Sequence, residues 1–157
     1  MDAQSEKVLA QLIRNTRIAS LGTLRDEYPQ VSMVAFIHNE DFSAFYIFIS
    51  RLAQHTVDIQ KDNRISLMIC ETDDNRADPQ TLARVTIRGK GEIIQNGEPG
   101  YSLLKKQYLE RFIEAEQLFN LTDFNFWRIT PRGGRYVAGF AKAFNITAET
   151  LQKVSIR

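Results

Sequence analysis

The sequence predicts a mainly β fold with flanking helices (α+β), in which a small antiparallel barrel carries helical additions. Its length of 157 residues suits one domain, and its composition, 43% hydrophobic and 25% charged, is that of a globular protein. Short segments that alternate apolar and polar side chains recur from residue 17 onward and are separated by polar turns. Helical spacing of apolar residues appears in only a few places, so strands dominate the prediction.

Charge, cysteine content and hydropathy exclude several classes of protein. Twenty Lys and Arg against 19 Asp and Glu give a formal charge of +1, whereas a dedicated nucleic-acid binder carries a basic surplus. Cys70, His38 and His55 are too few for a zinc site of the Cys/His type. The polar N-terminus is unlike a signal peptide, and the longest apolar-rich run, 44–49, is too short to span a membrane. We therefore predict a cytoplasmic protein with no metal, nucleic-acid or membrane partner.

The first part of the chain is predicted to form a helix and then an antiparallel meander. Apolar residues recur at helical spacing over residues 5–16, and Ser5 is the predicted N-cap. Strands follow at 17–24, 30–38 and 42–50, where β-branched and aromatic residues are frequent. Because the turns between them are short, neighbouring strands are expected to pair antiparallel.

The pattern then changes to a short helix at 51–61, a strand at 64–71 and a long alternating strand at 81–95. Gly89 and Gly91 lie within the long strand. Glycines at such positions predict a bend or bulge, where the sheet curls into a barrel.

The last part of the chain returns to helical spacing over 101–112, with a second short helix at 113–119. Strands are predicted at 123–130 and 135–140, separated by a turn at 131–134. No linker or internal repeat divides the chain. The predicted single domain therefore consists of an N-terminal helix (1–16), barrel strands with the short helix (17–95), a helical insert (97–119), final strands (123–143) and a tail (144–157).

The residues most informative about chemistry lie where the third strand ends and a helix follows at once. Ser50, Arg51, His55 and Thr56 place hydroxyls, a guanidinium and an imidazole near a helix N-terminus, which favours anions. Such groups bind a phosphate when they converge. The structural alternative is that Ser50 caps the helix, Arg51 is solvated and His55 packs against the barrel.

The stretch Ser50–Ile59, followed by Asn63–Leu67, resembles the flavin-phosphate segment of the pyridoxamine 5′-phosphate oxidase-like split-barrel superfamily. Its Leu-Ala-x-His-Thr form is similar to the branch associated with haem utilisation and haem degradation. Two further segments resemble that branch: Ala19–Ser32 its opening hairpin, and Gly133–Ala143 its C-terminal strand. The three segments occur in the same order as in the family.

The resemblance implies a six-stranded antiparallel split barrel of the FMN-binding type that forms a homodimer, with cofactor sites at the interface. Ten Phe, five Tyr and one Trp also favour some aromatic surface at an interface. The implied contacts are Ser50, Arg51, His55 and Thr56 to the FMN phosphate, the backbone of Val34, Ala35 and Phe36 to the isoalloxazine ring, Arg84 and Arg88 as cation partners, and Trp127, Arg135 and Lys142 from the partner copy.

Several of these residues have a structural alternative. Arg84 and Arg88 also suit a solvated strand face, Trp127 suits a core or interface aromatic, and Lys142 suits a solvated tail. Departures from the family matter as well. The C-terminal motif rich in Arg and His that marks true pyridoxamine phosphate oxidases is missing, which argues against vitamin B6 synthesis.

Three functions remain open from the sequence. The first is an FMN-binding protein, as a flavin-dependent oxidoreductase of unknown substrate in which the flavin supplies the redox chemistry. The second is a haem-binding, haem-utilisation protein that uses the same interface cleft. Its axial ligand would be His38, His55 or another group, since no His follows His55, whereas the haem-degrading relatives supply one near the C-terminus. The third is a cofactor-free dimer without catalysis.

Overall fold

A computed structural model describes all 157 residues as seven β-strands, four α-helices and two short 3₁₀ helices. The strands are β1 (Ile18–Arg25), β2 (Tyr28–His38), β3 (Phe45–Ser50), β4 (Arg64–Cys70), β5 (Arg84–Ile94), β6 (Phe124–Val137) and β7 (Ala143–Ile146). The α-helices are α1 (Ala3–Asn15), α2 (Gln54–Lys61), α3 (Tyr101–Arg111) and α4 (Ala148–Val154), and the 3₁₀ helices span Pro79–Thr81 and Ile113–Asn120.

The strands form one antiparallel sheet in the order β3-β2-β1-β4-β5-β6-β7. Strand β3 also pairs with β6, from Phe45 opposite Ile129 to Ser50 opposite Phe124. Six strands therefore close into a barrel, and β7 extends the sheet beyond β6. This arrangement confirms the predicted six-stranded antiparallel barrel with flanking helices.

Two apolar cores explain the abundance of aromatic residues. The larger core fills the barrel and continues beneath α1 and α4. The second lies outside β3, under α3 and the second 3₁₀ helix, where Phe48 stacks on Phe119 with ring centroids 4.2 Å apart. Because β3 has a core on each face, its residues are apolar without alternation. Much of the aromatic surface assigned to an interface by composition thus belongs to this second core.

The barrel turns sharply where β5 and β6 pair. The register shifts between Arg88, opposite Gly133, and Gly89, opposite Pro131, so Arg132 is the extra residue of a β-bulge. A Cβ at Gly134 would lie 2.0 Å from the Thr86 carbonyl oxygen. The glycines of this strand pair therefore permit a backbone approach that no other residue allows.

Several predicted boundaries are wrong. Helix α1 is capped by Asp2, whose carboxylate accepts the Ser5 N–H at 2.8 Å, rather than by Ser5. Strand β3 begins at Phe45 instead of 42, since Phe42 occupies a turn with φ of 55°. Helix α2 begins at Gln54 instead of 51, because residues 51–53 form the turn that connects it to β3.

The C-terminal part needs the largest correction. The sequence predicts two strands, 123–130 and 135–140, around a turn at 131–134, but β6 runs unbroken from Phe124 to Val137. The bulge accommodates Pro131, so the Pro-Gly-Gly signal is a local kink instead of a chain reversal. The chain reverses later, at residues 138–142, and β7 follows where the sequence predicts no strand.

Candidate functional site

The turn between β3 and α2 holds the hydroxyls predicted to bind a phosphate, but both already have partners. The Ser50 hydroxyl donates to the Asp123 carboxylate and accepts the Leu52 N–H at 3.1 Å. The Thr56 hydroxyl donates to the Ser50 carbonyl at 2.7 Å. The Arg51 N–H donates to the Asp123 carbonyl at 2.7 Å, while its side chain is exposed and forms no ion pair. A carboxylate thus occupies the place where the sequence predicts an anion.

Beside this turn lies an apolar groove of about 580 Å³ between β1, β2, β3 and α3. It brings together four of the predicted contacts, Val34, Ala35, Ser50 and His55. The Phe36 side chain points into the barrel core and has no exposed surface, so only the backbone of this residue remains for a cofactor. Ten of the thirteen residues that line the groove are hydrophobic, so it suits an apolar ligand with few polar groups.

His55 contributes a neutral imidazole to this groove. Its Nε2 atom is buried and has no hydrogen-bond partner. Burial lowers the pKa of His55, and the nearby Asp58 carboxylate offsets part of that effect. Arg51 is consequently the only full positive charge at the turn, which makes a weaker phosphate site than the residue types predict.

Asp58 lies next to the site, but the sequence pattern does not reveal its role there. Its side chain is 1% exposed and accepts hydrogen bonds from Thr23 Oγ1 at 3.1 Å, Arg25 Nε at 3.0 Å and Gln54 Nε2 at 3.2 Å. The Arg25 guanidinium is the main reason that the pKa of Asp58 falls to about 2. This network fastens α2 to β1 and so positions the groove. Its only sequence signal is an acidic residue on the apolar face of α2.

Arg84, Arg88 and Arg135 lie elsewhere, on the outer face of β5 and β6, and none of them lines the groove. Arg84 donates to the carbonyls of Gln80 and Leu82, each at 3.0 Å. Arg135 donates to the Asn145 side chain at 2.8 Å. Arg88 is exposed and forms no hydrogen bond. None of the three arginines pairs with a carboxylate, so their charge is available to a ligand.

The same outer face becomes apolar where it continues onto β4, β1 and β2. One cross-strand row runs from Arg135 through Thr86, Met68 and Ser20 to Met33. Opposite residues in antiparallel strands share a face, so these side chains all point outward. We call the whole surface the amphiphilic sheet face; it comprises Ile18, Val31, Met33 and Met68 on its apolar half and Arg84, Arg88 and Arg135 on its basic half.

The apolar half is exposed to an unusual degree. Val31 is 75% exposed, Met33 65% and Ile18 53%. At the basic end Arg88 borders a second groove of about 700 Å³ with Arg64, Lys90 and Arg132, and no carboxylate lines it. Arg64 pairs with Asp62, whereas Arg84, Arg88 and Arg135 have no carboxylate partner. An exposed apolar surface next to such unpaired cations is typical of a binding face.

The remaining predicted residues lie apart from both places. Trp127 is 5% exposed within the barrel core, and its Nε1 atom has no partner. Lys142 is exposed near the β6–β7 turn, with its Nζ 3.8 Å from the Asp2 carboxylate. No helix is long and apolar enough to cross a membrane, and no three His, Cys, Asp or Glu side chains converge on a metal position.

Curated proteins related to this chain act on haem. The haem oxygenase HutZ of Vibrio cholerae is 25% identical over 124 residues, which cover 78% of this chain and 69% of HutZ. A chloroplastic haem oxygenase of Arabidopsis thaliana, HOZ, is 33% identical over 117 residues, 74% of this chain and 34% of that protein. The chain thus spans about a third of the plant relative.

Solved structures share the fold. A haem-binding protein from Mycobacterium smegmatis superposes with a TM-score of 0.84 at 22% identity, over 98% of this chain and 62% of that one. Residues 5–138 match the family described as pyridoxamine 5′-phosphate oxidase. That match covers most of the chain and agrees with the barrel topology. The chain therefore belongs to the pyridoxamine 5′-phosphate oxidase family, with haem-utilisation proteins among its relatives.

Proposed function

We propose that this protein binds haem on the amphiphilic sheet face, between two copies of the chain, and serves haem utilisation. The observation that carries the proposal is the pairing of exposed apolar side chains with three arginines that have no carboxylate partner. Haem has the matching chemistry, because it is a broad apolar plane with two carboxylates on one edge. The similarity to the haem oxygenases HutZ and HOZ supports this choice of ligand.

The two halves of the face supply different contacts. Val31 and Met33 would cover the ring, since burying their exposed apolar surface is favourable by about 25 cal/mol per Å². Arg84 and Arg88 would bind the propionates, because a guanidinium presents two parallel donors to a carboxylate. These residues bind and orient the ligand, and iron supplies the redox chemistry when haem is bound.

The homodimer in this proposal rests on the apolar half. A surface with this exposure is more stable when a second copy covers it. A ligand held between two such faces is shielded from water on both sides, which strengthens the contacts between arginine and carboxylate. His38 lies among the rings of Phe36, Phe42 and Phe45, and His55 lies in the apolar groove that Ile18 and Met33 also line. The proposal rests on ring and propionate contacts rather than on a histidine ligand.

Titration of the protein with haemin, followed by the Soret band, tests the proposal. We expect saturable binding at micromolar haemin. The double variant Arg84→Ala/Arg88→Ala should lower affinity at least about tenfold, because two charge-assisted contacts are lost. Arg128→Ala removes another exposed arginine of β6 and is the matched control. Equal affinity of the two variants, or no Soret change in the parent protein, would contradict the proposal.

A second candidate, an FMN-binding protein with flavin-dependent oxidoreductase activity on an unknown substrate, is favoured by the apolar groove next to Ser50 and Arg51. The groove suits a flat ring, although the Asp123 carboxylate opposes the phosphate. Quenching of FMN fluorescence measures binding. Arg51→Ala/His55→Ala should abolish FMN binding and leave haemin binding unchanged if the two sites are separate. Absence of binding by both ligands would leave the cofactor-free dimer.

A further inference from the structure

Sulfur-containing side chains are concentrated on the amphiphilic sheet face. Apart from Met1, the sequence contains three of them, Met33, Met68 and Cys70. Met33 and Met68 belong to the cross-strand row that ends at Arg135, and Cys70 shares their face because it follows Met68 by two residues on β4. Neither histidine belongs to this row. The row therefore offers thioethers, which are soft ligands for transition metals, and no imidazole.

Met68 lies at the centre of the face among short side chains. Its neighbours on that face are its cross-strand partners on β1 and β5 and the two outward-facing residues beside it on β4, namely Ser20, Thr86, Ser66 and Cys70. The Met68 side chain is 38% exposed. Because a methionine turns about three bonds and these neighbours are short, the sulfur can face outward, away from the barrel.

The two arginines that would bind the propionates are arranged symmetrically about Met68. Met68 pairs with Thr86, and Arg84 and Arg88 lie two residues to either side of Thr86 on the same face of β5. Each arginine is about 7 Å from Thr86 along the strand, and β5 is about 5 Å from β4. The two propionates of haem likewise flank a line that runs from their shared edge through the iron. A porphyrin bound by both arginines therefore has its centre on the row that contains Met68.

Strand spacing distinguishes Met68 from Met33. Met68 is one strand away from β5, whereas Met33 on β2 is three strands away, at about 14 Å. Iron lies in the middle of the porphyrin, so its ligand must come from within the covered area. Met33 at the far end of the row is placed to contact the edge of the ring, and Met68 is placed beneath it.

We propose that Met68 supplies an axial thioether ligand to the iron of haem bound on the amphiphilic sheet face. The inference rests on the proposed haem site and adds the iron ligand to it. The Met68 Sδ atom donates a lone pair to the iron, and no proton or electron is transferred in this step. A thioether stabilises ferrous iron relative to ferric iron, so it raises the reduction potential of the bound haem.

An apolar contact between Met68 and the ring has different consequences from iron ligation. Leu and Met have similar volumes, so Met68→Leu keeps an apolar contact and removes the sulfur. Protoporphyrin IX has the ring and propionates of haem but no iron. A comparison of the two porphyrins therefore separates ligation of the metal from burial of the ring.

The test measures the affinity for dithionite-reduced haem by the Soret band and the affinity for protoporphyrin IX by its fluorescence. We expect Met68→Leu to weaken reduced haem at least about tenfold and to change protoporphyrin IX by less than about twofold. The reduction potential of bound haem should fall in the same variant. Arg84→Ala/Arg88→Ala should weaken both porphyrins, because both carry propionates.

Two further variants control for loss of sulfur elsewhere on the face. Met33→Leu removes the other exposed thioether of the row, and Cys70→Ser removes the thiol. Each should leave the ratio of the two affinities unchanged. A change of that ratio in either control instead of in Met68→Leu would overturn the proposal.

The comparison also separates failure of the ligand from failure of the site. If Met68→Leu weakens both porphyrins equally, or neither, while Arg84→Ala/Arg88→Ala still weakens both, then Met68 is not the ligand and the haem site remains. If neither porphyrin binds to the parent protein, the haem site and its ligand are both refuted.

Discussion

The two halves of the amphiphilic sheet face leave opposite kinds of groups uncovered. On the β1–β2 half, Val31 and Met33 expose apolar surface that water solvates poorly. On the β5–β6 half, Arg84, Arg88 and Arg135 carry charge that no carboxylate balances. One half is therefore satisfied by an apolar partner and the other by an anion. A ligand that is apolar in its plane and acidic at its edge satisfies both at once.

The backbone beneath the two halves also differs. Strands β5 and β6 approach so closely at Gly134 that no side chain fits, whereas the ideal Cβ of Gly22 on β1 meets Ser66 at an ordinary 3.6 Å. The basic half thus stands on a closely packed, bulged strand pair. The apolar half depends on Asp58, which fastens β1 to α2. Four variants test how the two halves differ in packing and in binding.

Gly134→Ala should have the largest effect. The new methyl would lie 2.0 Å from the Thr86 carbonyl oxygen, which is backbone and cannot move aside. We expect a loss of about 3 kcal/mol in the free energy of unfolding, at the upper end of overpacking costs. Gly22→Ala is the matched control on the apolar half and should change stability by less than about 1 kcal/mol. Urea denaturation measures both, and equal losses would refute the difference in packing.

Asp58→Asn comes next. The amide loses the ion pair with Arg25, which is 37% exposed and regains water, so we expect a loss of about 2 kcal/mol. The folded-state pKa of Asp58, about 2, lies below its unfolded value near 3.9. Its stabilisation is therefore complete above about pH 4 and is lost as pH falls through about 2. The variant should lack the loss of stability that Asp58 causes in this pH range, which acid unfolding measures. If the variant and the parent protein lose stability equally, Asp58 does not have this role.

Met33→Lys tests the apolar half as a contact between copies. The exposed side chain contributes little to the fold of one copy, so the thermal stability of a monomer should stay unchanged. The dissociation constant of the dimer should rise at least about tenfold, because the variant places a charge in an apolar contact. Leu103→Lys, on the exposed side of α3, is the control. Sedimentation velocity decides, and equal association of both variants would place the interface elsewhere.

Asp123→Asn should have the smallest effect. It tests whether the β3–α2 turn binds an anion independently of the basic half. Removing this carboxylate frees the Ser50 hydroxyl beside Arg51, so FMN affinity should rise about threefold or more. Haemin affinity should not change, since the proposed propionate contacts, Arg84 and Arg88, do not line the groove beside the β3–α2 turn. A matching rise in haemin affinity would show that the two ligands share one site.

Much of the fold is predictable because periodicity reports burial. Alternation along β1, β2 and β5 places these strands within a few residues, and Gly89 marks the bulge. The errors fall where long-range contacts override local signals. Pro131-Arg132-Gly133-Gly134 has the composition of a turn, yet β5 and β7 pair on both sides of it and keep β6 continuous.

The candidate site is predictable in residue types and less so in arrangement. Ser50 and His55 do lie on one groove with Val34 and Ala35. The contact of Asp123 with the Ser50 hydroxyl is hidden in the sequence, because the two residues are 73 positions apart. The arginines of β5 are identified by residue type, but whether they face the groove or the opposite side of the sheet depends on barrel closure.

The sequence by itself determined the class of the barrel, the family and the chemical character of each strand, because local pattern and residue type carry that information. Only the tertiary structure decided which charges remain without partners. Asp58 and Asp123 are bonded to residues far away in sequence, whereas Arg88 has no such partner. The availability of a charge depends on every neighbour in space, and closure of the sheet sets those neighbours.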